Sequence, residues 1–189
     1  MNKSKSKTRR PPIFRPTSFG QAVRDGVKLL QLIDSQELSK RQVRLRVDKF
    51  MNNSDNARGF CIALLTGDFT VSDNPSAPIV ASLRNGSPAV FEVMAKNVVM
   101  APTMAVTHRR NSNLEAALGS DKSTQRAIKL VHLMKSPAMN AQLLEMHRAF
   151  RKEASAFSKF VSDWKYLEDA EQTRAGLKAI EQALACNNI

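Results

Sequence analysis

Apolar side chains recur every three or four residues along most of this chain, and that spacing predicts helices. Over 19–34 the positions are Val23, Val27 and Leu30, with Phe19 or Ile33 completing the stripe and Thr17 or Ser18 as a cap. Ser39 with Gln42 has the form of a capping box and opens a second helix over 39–51. Its inward stripe is Val43, Val47, Phe50 and Met51, and the run Asn52–Asn53–Ser54–Asp55–Asn56 ends it. Pro88 opens a further helix with Phe91, Met94, Ala95, Val98 and Val99 inward; Pro102 is expected to close it and leave 103–113 as a basic loop. Ser120 or Asp121 is expected to cap the next helix, which runs to about Lys135 and buries Ala127, Ile128, Val131 and Met134. After Pro137, Leu143, His147, Phe150, Ala154, Phe157, Val161 and Trp164 alternate at steps of four and three, a heptad seam. A last helix begins near Asp169 with Ala170, Leu177, Ile180 and Leu184 inward.

The stretch 57–87 reads differently. An apolar run over 60–65, either a buried helix turn or a short strand, is followed by Gly67–Asp68, Asp73–Asn74–Pro75, Pro78 and Asn85–Gly86, all turn chemistry. Phe69 and Val71 with Ile79 and Val80 form either a small β-ribbon or part of a loop-rich insertion. The expected fold is therefore all-α: a bundle of six or seven helices with a loop-rich centre. It is divided into a disordered basic arm over 1–16 and a single helical domain over 17–189, in which 136–189 is a hairpin-like assembly segment.

Charge sharpens this outline. The 189 residues include 29 Lys and Arg against 17 Asp and Glu, a net charge of +12. The arm contributes +6 through Lys3, Lys5, Lys7, Arg9, Arg10 and Arg15 and has no acid. Residues 106–135 add +4, whereas 136–189 are neutral. Such a field gathers polyanions, and an arm of Lys, Ser, Arg and Pro lacks the apolar surface to offset its own ordering entropy. Its Lys–Ser alternation suits a backbone tracker, whose affinity comes from counterion release and falls with salt. Two further basic groups lie in the body: Lys40, Arg41 and Arg44, and Arg109, Arg110, Lys122, Arg126 and Lys129. Neither is interleaved with aromatics, so base stacking is expected to be minor and sequence specificity weak.

Chemistry for catalysis is thin. No phosphate-cradling glycine loop, dinucleotide fingerprint, zinc-protease helix or nucleophile elbow occurs in the chain. His108, His132 and His147 do not assemble by spacing, and Cys61 and Cys186 form no C-x-x-C pair. No enzyme activity, metal, cofactor or small-molecule substrate is expected. No run of some 18 apolar residues suggests a membrane span.

A basic arm, a helical body and a neutral apolar-striped C-terminal third resemble in organisation the viral coat and nucleocapsid proteins. That resemblance implies non-specific packaging of nucleic acid, RNA in preference to DNA. It also implies self-assembly into a homo-oligomer or polymer through Phe150, Phe157, Val161 and Trp164, and location in the virion and host cytoplasm. Two other expectations compete. One is a cellular, intracellular regulator reading duplex DNA with the helices at 19–34 and 39–51. The other is a protein-interaction adaptor whose basic tail is a targeting address.

Overall fold

The computed structural model describes residues 18–185. Among them there are ten helices and no strand. They are α1 Phe19–Asp34, α2 Lys40–Met51, α3 Ser54–Thr66, α4 Thr70–Asp73, α5 Ala77–Arg84, α6 Pro88–Arg110, α7 Leu114–Met134, α8 Pro137–Phe150, α9 Ser158–Asp163 and α10 Ala170–Ala185. The fold is all-α. The arm over 1–16, with its expected disorder, lies outside the described residues, as does Cys186.

Helix α6 is the axis. It packs on α7, α10, α8 and α3, and buries Val90, Phe91, Met94, Ala95, Val98 and Val99 among them. By length and composition α6 would suffice to cross a membrane, but half of its most apolar stretch is covered by the other helices. Alongside it, α1 packs mainly on α3, and α2 lies on α5 and α3. The α1–α3 crossing is close because Gly59 faces α1 directly. A Cβ placed there would stand 2.5 Å from Ala22 Cβ and 2.6 Å from its carbonyl carbon, well inside van der Waals contact.

Four expectations are corrected. Residues 60–65 take the helical of their two expected forms, in α3, with all but the half-buried Ile62 in the core; the segment after them is neither a ribbon nor a loop, since Ile79 and Val80 are buried in α5 and Val71 lies in the single turn α4. The turn signals mark the gaps between these short helices, and Asp34 caps α4 by accepting from the backbone N–H of Thr70 at 3.0 Å and of Val71 at 2.9 Å. Pro102 does not end α6, which continues two turns further to Arg110. The proline forfeits one backbone bond, and packing on four neighbouring helices outweighs that loss. Consequently the basic segment after Pro102 is helical, and the loop is only Asn111–Asn113. Ser120 and Asp121 lie inside α7, which starts at Leu114 under an Asn113 cap. The heptad seam is not one helix. It breaks after Phe150 and resumes in α9.

Several helices end in the same way. At α1, α6, α8 and α9 the chain turns left-handed at Gln36, Ser112, Lys152 and Lys165, with φ of 61°, 55°, 61° and 57°. Each turn carries the paired bonds of a Schellman motif, for instance Tyr166 N–H to the Val161 carbonyl and Lys165 N–H to the Ser162 carbonyl after α9. None of these four positions is glycine.

Candidate nucleic-acid interface

The sequence singles out two basic groups in the body, and the fold treats them in opposite ways. Helix α2 begins with the expected capping box: Gln42 N–H donates to the Ser39 hydroxyl at 3.3 Å, and Ser39 N–H to the Gln42 side chain at 2.9 Å. Val43, Val47 and Met51 turn inward. Rotation by about 100° per residue then places Arg41, Leu45 and Lys49 in one line on the outer face, with Arg46 beside it. All four are exposed, and so is Lys40 at the helix start. Among the described residues no acid pairs with Lys40, Arg41, Arg46 or Lys49. Arg44 is half-buried and held by Asp48 through two bonds of 2.9 Å. Arg46 belongs with this face although its neighbours in sequence gave no reason to single it out; the helical angle supplies it.

The opposing dipole makes this arrangement informative. Cations in a first helical turn meet the positive end of the macrodipole and are mildly destabilising. Lys40 and Arg41 stand there with no acid in that turn. Their placement is therefore not explained by helix stability.

The second group is held by structural contacts. Arg126 is 4 % exposed. Its Nε donates to Asp73 at 2.7 Å, and one terminal nitrogen donates to the carbonyls of Leu65 at 2.9 Å and Gly67 at 2.7 Å. It fastens the end of α3 and the α4 turn to α7. The expectation that Arg126 meets a strand is thereby corrected: it is inside. Lys122 reaches Asp68 at 3.2 Å and Asp73 at 3.8 Å, and Lys129 donates to the Asp73 carbonyl and to Asn74. The hydrogen bond from Arg126 and the surrounding cations hold the Asp73 carboxyl below its ordinary range. Arg109 pairs with Asp121, and Arg110 with Asp169 and Glu171. Bonding from Arg110, then from the backbone of α10, lowers Asp169 to about 2. These arginines connect α6 to α7 and α10; four of the five side chains are exposed, but all five are engaged.

The expected self-association residues divide as well. Phe150, Phe157 and Val161 are buried within the chain, whereas Trp164 is 49 % exposed. The seam therefore serves the monomer's own packing, and three of its four residues are withdrawn from any surface role. The Schellman turn after α9 explains the split, since it sends Tyr166 inward and leaves Trp164 outside, stacked on the tyrosine ring at 6.1 Å. His132 donates from Nε2 to the Gln182 carbonyl at 3.0 Å, joining α7 to α10. Among the described residues no group of His, Cys, Asp or Glu is arranged to hold a metal ion. Cys61 is fully buried, and burial pushes its thiol up to about 12.

Over residues 18–183 the sequence matches a family described as "Uncharacterised conserved protein UCP020893". No curated protein and no solved structure matches the chain at a significant level.

Proposed function

The chain belongs to that family of uncharacterised conserved proteins, and we propose that it is a non-enzymatic nucleic-acid-binding protein, RNA being the favoured partner. It holds the phosphate backbone through the outer face of α2 together with the basic arm over 1–16. One observation carries this reading: the exposed cations Lys40, Arg41, Arg46 and Lys49 have no acid partner among the described residues, while the comparable group on α6 and α7 is fully engaged. Unpaired exposed cations on one helix are available to release counterions from a phosphate backbone. Paired ones must first give up a carboxylate.

Two wider readings are less favoured. Packaging by many copies, in the manner of coat and nucleocapsid proteins, needs a self-association surface, and Phe150, Phe157 and Val161 are packed inside the chain. Site-specific reading of duplex DNA by α1 and α2 needs a packed corner, and these helices take their main contacts from α3 and α5 instead.

The test is binding of labelled 20-mer RNAs of unrelated sequence, followed by anisotropy over a salt series. Native protein is expected to bind all of them alike. Replacing Lys40, Arg41, Arg46 and Lys49 by glutamine should lower the log–log salt slope by about 3, since each phosphate contact on a single strand contributes roughly 0.7. Absence of binding at low salt, or an unchanged slope in the variant, defeats the proposal.

A further inference from the structure

A cleft of about 290 Å³ lies where α3, α6 and α9 meet, lined by Asp55, Arg58, Glu92, Lys96, Phe160 and Trp164 among others. Its aromatic wall is built, not incidental. Phe160 and Trp164 stand one helical turn apart with centroids at 6.3 Å, and both rings rest on Tyr166, at 5.9 Å and 6.1 Å. Trp164 thus has one face supported by a buried tyrosine while half of its surface is open. A supported, half-open indole is a stacking platform.

The charges around it decide what could stack there. Glu92 is bonded to Lys96, whose ammonium also sits 5.2 Å above the Phe160 ring. Arg58 lies over the Phe19 ring at 4.6 Å and has no acid partner among the described residues. With Asp55 the four charged groups sum to zero, so the cleft does not attract a run of phosphates. What it offers is one available guanidinium next to an aromatic face, enough for one nucleotide: a base on the indole and its phosphate on Arg58.

Chain continuity ties this cleft to the basic face. Helix α2 ends at Met51, and Ser54 and Asp55, the first residues of α3, already line the cleft. From Lys49 to Ser54 is five residues, a path of at most about 17 Å even if fully extended. The end of the basic face and the rim of the cleft are therefore neighbours along the chain.

We propose that this cleft takes an unstacked base of a single-stranded nucleic acid on Trp164, making the protein a single-strand binder. The proposal rests on the nucleic-acid reading for its ligand and departs from the expectation that stacking is minor. Periodicity places Trp164 in an inward seam, and only the turn at Lys165 exposes it.

Trp164 is the chain's one tryptophan, so its fluorescence reports on the cleft alone. Titrating native protein with a 12-mer RNA is expected to quench that emission at least twofold, while the same sequence in duplex form leaves it nearly unchanged. Trp164→Ala should weaken binding of the labelled 12-mer on the order of tenfold, and Arg58→Gln should lower the salt slope by roughly 0.7. The Arg58 variant also serves should Trp164→Ala fail to fold. Binding of the single strand without quenching would overturn the base-stacking inference and leave the α2 reading standing. So would a Trp164→Ala protein that binds as tightly as native. No binding of any nucleic acid would remove both. Shielding of Trp164 that grows with protein concentration and needs no RNA would assign the cleft to a second copy and likewise overturn the inference.

Discussion

Replacing Arg126 by methionine separates a structural arginine from a binding one. The substitution nearly conserves volume while removing a charge that is 4 % exposed. Three bonds go with it, to Asp73 and to the carbonyls of Leu65 and Gly67. Breaking a buried ion pair by removing one partner costs about 3–5 kcal/mol. Here the remaining carboxylate is not trapped, because the Asp73 side chain is 47 % exposed and rehydrates. The Gly67 carbonyl is left poorly satisfied, at roughly 1 kcal/mol or more, whereas the Leu65 carbonyl keeps the Ser123 hydroxyl at 3.2 Å. One term already favours the variant, since a second terminal nitrogen of Arg126 is buried without a partner. The sum falls near the lower end, about 3 kcal/mol. For a body of this size that lowers the melting temperature by roughly 6–12 °C. Urea unfolding followed by circular dichroism at 222 nm measures the first quantity and a thermal scan the second. RNA affinity of the folded variant should match native within about twofold. A loss below 1 kcal/mol, or a fall in affinity with stability intact, would refute the reasoning and return Arg126 to the surface.

Four further outcomes rest on the same geometry. Gly59→Ala should destabilise by about 3 kcal/mol, because the new methyl overlaps backbone atoms of α1. Gly119→Ala should stabilise by roughly 0.5–1 kcal/mol, because its methyl meets nothing within 4 Å in the exposed interior of α7; urea midpoints of the two variants should move in opposite directions. Gln36→Gly should raise stability by on the order of 0.5 kcal/mol in the same assay, since glycine adopts the left-handed turn after α1 without the Cβ penalty. The Asp169 carboxyl is lowered to about 2 by Arg110 and α10 backbone groups, so its stabilising contribution is complete above the unfolded value near 4 and disappears as pH falls toward 2. Unfolding titrations between pH 4 and 2 should be flatter for Asp169→Asn than for native protein.

What could be read from the sequence was governed by locality. The Ser39–Gln42 box and the stripe of α2 depend on residues four apart or fewer, and both are present as expected. The all-α class follows from the same short-range periodicity. Helix continuation through Pro102 was hidden, because it depends on neighbours distant in sequence. The central helices were masked by turn residues that are equally at home between short helices and between strands. The ends of α6, α8 and α9 were hidden for a different reason: Ser112, Lys152 and Lys165 take a conformation whose usual marker is glycine, whereas α1 stops at Asp34 as its stripe predicts. At the site, composition identified basic residues but not their partners. Arg109 and Arg41 look alike in sequence, and only the fold gives Asp121 to the first.

The proline within α6 also bears on the order in which the molecule assembles. A 23-residue segment with Pro102 in its interior is a poor helix by itself, and its two halves should form separately in an isolated 88–110 peptide. Continuity must then come from its neighbours, and of these only α3 precedes it, while α7, α8 and α10 come later in the chain. Most of the surface that holds the axis continuous is thus made after the axis itself, beyond Arg110. The central helix of the bundle depends on segments that follow it.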